Sequence, residues 1–575
     1  MRKLLLIISI VLVAVHVSAA KVYFINSPKW TTVKAYMWDN GASMSWPGKA
    51  MTKETGITCT KGDVYSIDAG TYKKIIFNCG SNSCQTSDLS LVAATPYWYN
   101  EMPFASIAEI EEYVPPVGGV GVPAECEGVM LQAFYWDSQK DMGYGNTKWT
   151  TLTAQAEELG SYFDFVWLPP SAYSTGGLGY HPYQYSNQNS ALGTSTELLK
   201  LINALHNNGI KVIADIVINH CYSKSTWCNF YSLDFGRFGK FQPTSKWITA
   251  NDEVNTTPSA GACYQCSAQT AHDDDGDNWD GARDWDHQNK DVQAMCKAYL
   301  QWMLDKGYDG FRYDVALGYA RKHFSDYNLA AKPYISVLEC FDGNKKTLKN
   351  AIEQAQRNTM VFDFNAMYSV FRDGIYSKNY SKLKQEGLRS IGYSKYAVTF
   401  IDNHDTFNRG AGNNTDVAGK SDGSSIKDRP LIMRCNAFLL TMPGIPCVFY
   451  PHWVTYKDEI KKIINARKAA GVHSESKVND AAGSGYYKAT IYGKYGDIIL
   501  YLGTAAASEP VPQGYKIAVK SETYAVYYTG DGPVGLEDIP QATAVHTRKM
   551  LYNGQLRIEA NGHYYDIFGR KIKQI

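Results

Sequence analysis

Residues Gly310 to Ala320 read GFRYDVALGYA, which places an arginine and an aspartate two positions apart inside an otherwise apolar run. Strand side chains alternate, so Arg312 and Asp314 share a face. A charged pair on an inward face is costly unless it is paired or put to use. Three other stretches end in similar groups: DIVINH holds Asp215, Asn219 and His220, SVLECFDG holds Glu339, and FIDNHD holds His404 and Asp405. Two carboxylates about 5–5.5 Å apart suit acetal cleavage with retention, one attacking and the other passing a proton. The attacker must stay ionised, and a guanidinium two residues away lowers a carboxylate pKa. The proton donor must begin protonated, which nearby like charges favour. Asp314 is therefore read as the attacker held by Arg312, with Glu339 as the acid near Asp314 and Asp405. A buried salt bridge with no chemistry is the bland alternative, and the elements that carry these residues decide between the two.

Those elements repeat. Eight apolar strand-like runs occur from about residue 125: GVMLQAFYW, FDFVWLPP, IKVIADIVINH, GYDGFRYDVA, YISVLEC, TMVFDFN, YAVTFIDNHD and GIPCVFYP. Amphipathic helical stretches such as TELLKLINALHNN and KDVQAMCKAYLQWMLDK lie between several of them. Eight β/α units predict a closed (β/α)8 TIM barrel, whose chemistry sits where the strands end at their carboxyl side. The candidate residues fall at the ends of the third, fourth, fifth and seventh runs, on one rim. The connection from His220 to about Asp286 is too long for a simple loop and predicts an inserted subdomain at about 221–285.

The flanks read differently. Residues 1–20 have a basic tip, an apolar run and the small residues Ser18-Ala19-Ala20, the pattern of a secretory signal. That run is short for a membrane anchor, and no later stretch is long enough to span a bilayer. Residues 21–112 carry short strands broken by Gly, Pro, Asn and Asp, which predicts a β-sandwich. Residues 113–124 form a Pro/Gly linker, 125–470 the barrel, 471–535 an antiparallel β domain, and 536–575 an appended tail. The expected class is thus a multidomain protein with an N-terminal β-sandwich and a C-terminal antiparallel β domain around the barrel.

A chain of 575 residues is too long for one ordinary core. Net charge is +1 with 20% charged residues, which leaves no electrostatic footprint for nucleic acid. Aromatic residues reach 13%, with 42 tyrosines and 13 tryptophans, which favours surfaces that stack on flat apolar faces such as sugar rings. Twelve cysteines in an exported chain permit disulfides. Cys79 and Cys84 are spaced for a local bridge. Cys221, Cys228, Cys263 and Cys266 form a second cluster, with disulfides preferred over zinc.

Taken together, DIVINH, GFRYD, the glutamate on the next strand and FIDNHD resemble the four signature regions of the α-amylase family, glycoside hydrolase family 13. The resemblance covers about residues 125–535. It implies Asp314 as nucleophile, Glu339 as general acid/base and Asp405 as transition-state stabiliser. It implies His220 and His404 on hydroxyls of the cleaved sugar, Tyr180 stacked under it, Arg312 beside it, and Asp215 as a structural partner of Arg312. It also implies a calcium joining barrel and insert, held by Asn219, Asp284 and the Gly318 carbonyl, with Asp273 to Asp275 nearby. Leu317-Gly318 departs from the family's usual lysine-containing pair, and leucine offers no hydrogen bond to a sugar. Residues 21–112 resemble a family 26 starch-binding module, with Tyr36, Trp46 and Gln85 as its binding residues or, alternatively, as core. The tail resembles sorting tails of secreted Bacteroidetes proteins. The implied protein is a secreted or cell-surface bacterial α-amylase, a retaining endo-hydrolase of α-1,4-glucosidic bonds. Its expected partners are starch, glycogen or maltooligosaccharides, with a monomer expected. A transglycosylase or branch-point hydrolase on the same scaffold, or a non-catalytic starch-binding protein, are the alternatives.

Overall fold

The structure is a computed structural model of the chain. It describes residues 21–39, 41–81, 84–86, 89–91, 96–99, 102–112, 119–174, 177–224, 229–250, 272–277, 282–407, 415–417, 420–421, 429–532, 547–552, 555–560, 563–565 and 571–572. The signal read at residues 1–20 lies outside these, as do Cys228, Cys263 and Cys266. No helix of the described residues is long and apolar enough to cross a membrane.

Eight parallel strands close into a barrel: β1 (Met130–Gln132), β2 (Phe165–Leu168), β3 (Lys211–Ile216), β4 (Gly310–Tyr313), β5 (Ile335–Leu338), β6 (Met360–Phe362), β7 (Ala397–Phe400) and β8 (Ile445–Phe449). Each of the eight runs read from the sequence supplies one strand. Their residues are buried almost throughout, because side chains fill the inside of such a barrel while helices cover the outside. Helix α1 (Trp149–Tyr162) follows β1, and α2 (Ser195–Asn207) follows β2. The second starts at a capping box, in which Thr194 and Glu197 satisfy each other's backbone N–H, and buries Leu198, Leu201, Ile202 and Leu205. Helix α3 (Lys290–Asp305) returns the chain to β4, with α4 (Lys322–Ala331) and α5 (Lys345–Gln354) after β4 and β5. Gly310 opens β4 where a Cβ would lie 2.3 Å from the Ile335 carbonyl, so the neighbouring strand fits only against glycine.

The insert between β3 and β4 is built from two-residue strands. His220–Cys221 pairs with Arg283–Asp284, and Leu233–Asp234 pairs with Lys240–Phe241. Cys221 is a buried free thiol packed on the Pro182 carbonyl at 3.2 Å. The expected disulfide cluster therefore does not include it, because its strand turns the sulfur into the core. Cys79 and Cys84 do form a disulfide.

Before the barrel, a five-stranded sheet and a four-stranded sheet face each other across a core that includes Val22, Phe24, Met37, Ile75, Phe77 and Trp98. The pairing within the larger sheet includes a parallel step, Phe24 beside Trp98. Residues 119–122, from the Pro/Gly stretch, dock under the barrel: Val120 N donates to Asn358 Oδ1 at 3.1 Å and Ser336 N to the Gly121 carbonyl at 2.8 Å. After the barrel, five antiparallel strands between Lys477 and Tyr528 form one sheet, and four short strands lie between Thr547 and Ile572.

Candidate active site

The rim of the barrel is organised by Arg312, whose side chain is 1% exposed. Parallel register sets Asp215 on β3 directly beside Arg312 on β4, so the two side chains enter the barrel at one level. Arg312 Nη1 donates to Asp215 Oδ1 and to Asp314 Oδ1, each at 2.7 Å. Its Nη2 pairs with Glu339 Oε1. Trp167 Nε1 and Tyr180 Oη donate to the second Asp215 oxygen at 3.1 and 2.8 Å. Asp215 is thus fully engaged below the rim, while Asp314 and Glu339 line the cavity above it.

Asp405 joins from the end of β7. Its side chain is about one-third exposed and lies 3.2 Å from His404 Nε2. Gln132 Nε2 donates to His404 Nδ1 at 3.0 Å, which leaves the ring proton on Nε2, facing Asp405. His220 Nε2 donates to the Tyr180 carbonyl at 2.9 Å. Burial pushes His220 down to about 3, so it stands as a neutral imidazole. The rings of Trp136, Tyr180 and His404 lie nearly parallel, with Tyr180 and His404 centroids 4.9 Å apart. They form one wall of a cavity of about 450 Å³, with Leu317 and Phe341 on its rim.

The electrostatics differ from the simplest expectation. Burial pushes the Asp314 carboxyl above the ordinary carboxylate range, with Arg312 pulling the other way and Glu339, Asp215 and Asp405 adding to the upward push. Burial also raises Asp215 to about 6 against the same guanidinium. Arg312 therefore does not act on Asp314 alone: one cation is shared by several carboxylates. Tyr180 remains a phenol, since burial and Asp215 raise it well above its usual value.

The loop after Asp314 is drawn tightly under Glu339. Val315 has φ 44°, a left-handed conformation that a β-branched residue rarely adopts. It is held there by Gly318 N on the Val315 carbonyl at 2.9 Å and Ala316 N on the Glu339 carbonyl at 3.1 Å. Its own N–H donates to Glu339 Oε2 at 3.3 Å. Neither Val315 nor Gln132, Trp136, Trp167 and Phe341 stood out in the sequence. For Gln132 and Trp167 the available signal was position, near the carboxyl ends of the first two strands.

The residues implied as calcium ligands also converge. Asn219 Nδ2 donates to Asp284 Oδ1 at 3.0 Å, and Asp284 is buried. Asn219 Oδ1 lies where a Cβ on Gly318 would be 2.0 Å away, so only glycine fits that approach. The acidic stretch follows the same loop: Asp277 N donates to the Leu317 carbonyl at 2.8 Å and Ala320 N to Asp275 Oδ1 at 2.9 Å. Burial beside Asp275 raises Asp274 to about 7. A carboxylate, an amide and a backbone carbonyl are oxygen donors of the kind a hard cation takes. Among the described residues no three His, Cys, Asp or Glu side chains gather as a metal group.

In the first sheet pair, Tyr36 alternates with the buried Ala35 and Met37 and so points away from the core. Its ring meets Trp38 at 5.3 Å and Trp46 at 5.4 Å, and Trp46 is 40% exposed. Gln85 sits across from Asn78, one row from the Tyr36–Ile76 pair, with its Oε1 buried. These residues are not the module's core. Trp38 is the member of the cluster that sequence reasoning missed.

A deep rim of carboxylates round one guanidinium, on a (β/α)8 barrel and beside an aromatic wall, defines a glycoside-hydrolase type of site. Comparison with known proteins narrows this. Residues 156–332 match the alpha amylase catalytic domain, a span that includes Asp314 and ends before Glu339. Residues 22–91 match starch-binding module 26. The probable alpha-amylase 2 of Arabidopsis thaliana is 27% identical over 428 residues, 70% of this chain and 94% of that protein. The chloroplastic alpha-amylase 3 of the same plant is 29% identical over 424 residues, and there the chain spans only 44% of the relative. A glucan 1,4-alpha-maltotetraohydrolase of Stutzerimonas stutzeri is 25% identical over 408 residues, 65% of this chain and 68% of that protein. Residues 156–332 are thus similar to the catalytic domain of α-amylases, which are glycoside hydrolases, and residues 22–91 to a starch-binding module.

Proposed function

We propose that the protein is an exported α-amylase that cleaves internal α-1,4-glucosidic bonds of starch-like polymers with retention of configuration. The observation that carries this reading is the single guanidinium of Arg312 bound to both Asp314 and Glu339. One planar group contacting both carboxylates holds them on the same side of the cleft, which supports the separation of about 5–5.5 Å that a covalent intermediate needs. Asp314 attacks the anomeric carbon while Glu339 gives its proton to the leaving glycosidic oxygen. Glu339 then takes a proton from the incoming water, whose oxygen displaces Asp314. Asp405, beside His404 Nε2, stabilises positive charge building on the sugar ring, and His220 and His404 hold its hydroxyls. Tyr180 lies under the same sugar.

Calcium fits Asn219, Asp284 and the Gly318 carbonyl. When bound it would supply structural charge balance and tie the insert to the loop after Asp314. The module's Tyr36, Trp46 and Gln85 bind glucan chains at a distance from the reaction. Export rests on the pattern of residues 1–20.

Incubation with soluble starch tests the reading. Viscosity should fall faster than reducing ends appear, and proton NMR should show the α-anomer of the products first. An initial β-anomer would remove the retaining mechanism, and a maltooligosaccharide released from chain ends alone would remove the endo mode.

A further inference from the structure

A row of aromatic rings leaves the active-site cavity and is not needed by the chemistry. His181 lines that cavity and its ring meets Tyr222 at 4.7 Å. Tyr222 meets Tyr183 at 5.7 Å, Tyr183 meets Tyr173 at 6.0 Å, and Tyr173 meets Tyr231 at 6.4 Å. Lys224 lies over the Tyr231 ring at 5.1 Å. None of the four tyrosines packs into the barrel core. Tyr173 is 39% exposed and the other three are half-buried, so each ring keeps part of its surface towards solvent. Two short antiparallel strands, Tyr173–Ser174 and Pro182–Gln184, fix the spacing, and Tyr222 N donates to the Pro182 carbonyl at 2.8 Å.

A second cavity lies beside the strand pair that carries the row. Tyr173 pairs in register with Gln184, and Gln184 lines an opening of about 500 Å³ on the barrel flank between α2 and α3. Asn187, Asn189, Ser186 and Ser195 line one side of it with Gln184, and Leu198, Leu199, Ile202, Trp302 and Tyr308 form an apolar side. Among the described residues of that lining there is no carboxylate, and the one cation, Lys306, lies over the Trp302 ring at 5.1 Å. Amides and hydroxyls without net charge match a neutral, polyhydroxylated ligand, and tyrosine faces match the C–H faces of its rings.

We propose that the tyrosine row is an extension of the cleft that binds an α-glucan chain several sugars from the point of cleavage and leads it to the amide-lined cavity. This rests on the reading of the protein as an α-glucan hydrolase. Long chains gain these contacts and short ones do not, so the row sets which chain lengths are cut well and which products accumulate.

The test compares kcat/KM on maltotriose and on long amylose chains for Tyr173→Ala, Tyr183→Ala, Tyr173→Phe and the double change Gln184→Ala with Asn187→Ala. Expected is a loss of about five- to tenfold on amylose for the two tyrosine-to-alanine variants, an unchanged value on maltotriose, and recovery in Tyr173→Phe, which keeps the ring. The double variant should lose about threefold on amylose alone. Equal losses on both substrates would show a structural role, and no loss on either would show an idle surface; each overturns the proposal. Titration of a long maltooligosaccharide onto Glu339→Gln protein, with and without Tyr173→Ala, separates the two readings. If the wild type cleaves no α-glucan but the titration still shows affinity lost with Tyr173, the hydrolase reading fails and the binding track stands.

Discussion

Arg312 Nη1 donates to Asp314 Oδ1 at 2.7 Å, two residues along the chain at the end of one barrel strand. The same nitrogen serves Asp215, and the other terminal nitrogen serves Glu339. One buried cation therefore sets the positions of three acids at once.

Replacing Arg312 with Met should lower stability by about 3–5 kcal/mol, because it leaves buried carboxylates without their cation. Arg312→Lys keeps the charge but not the fork, and should recover part of the stability with little turnover. Denaturant midpoints measure both. An unchanged midpoint in Arg312→Met would show that the acids are stabilised by something else.

Asp314→Asn and Glu339→Gln should each reduce kcat on soluble starch by at least about a thousandfold while the protein unfolds near the wild-type temperature. The changes remove an attacking group or a proton donor and keep the side-chain volume. Near-normal turnover in either variant would remove that residue from the mechanism.

Excess chelator should lower the melting temperature, and added calcium should restore it, because an ion bound by the folded state alone stabilises it by mass action. Asn219→Ala should make the protein indifferent to both treatments. A wild-type melting temperature that ignores chelator, with metal analysis finding no calcium, would dispose of the site.

His452 supplies a pH dependence. It is buried 3.7 Å from Asp402 Oδ2, too far for a hydrogen bond, and burial pushes it down to about 3. A folded value below the unfolded one means that the unfolded chain binds the extra proton. The contribution is complete above the unfolded value of about 6.5 and is lost as pH falls towards the folded value. Between these limits His452→Gln should reduce the slope of stability against pH by about 1.4 kcal/mol per unit. Parallel slopes for the two proteins would contradict it.

Trp46→Ala together with Tyr36→Ala should weaken binding to granular starch about tenfold and leave cleavage of short maltooligosaccharides unchanged, since a tethered module acts through local concentration. Co-sedimentation with granules reads the first effect and product release the second. Undiminished sedimentation would return these rings to a purely structural role.

The barrel was legible from the chain alone because each strand is a continuous apolar run that ends on polar residues. Burial on both faces and chemistry at one rim leave that mark in any order of loops. The acids and histidines of the rim were legible for the same reason, whereas the side of the sheet that Tyr36 takes, binding face or core, was settled by the fold. Tertiary structure decided what no spacing can express. Register across β3 and β4 put Asp215 beside Arg312, so that burial and a shared cation govern Asp314 instead of one local pair. Folding of the insert turned the Cys221 sulfur into the core and away from any bridge. Convergence of separate loops brought Gln132 to His404 and Val315 to Glu339. It also lined up Tyr173 and Tyr183, brought together by two short strands that fold back on one another, with Tyr222, which the start of the insert hydrogen-bonds onto the same strand pair. Periodicity records which face of an element is buried; which element lies opposite is settled only when the chain closes on itself.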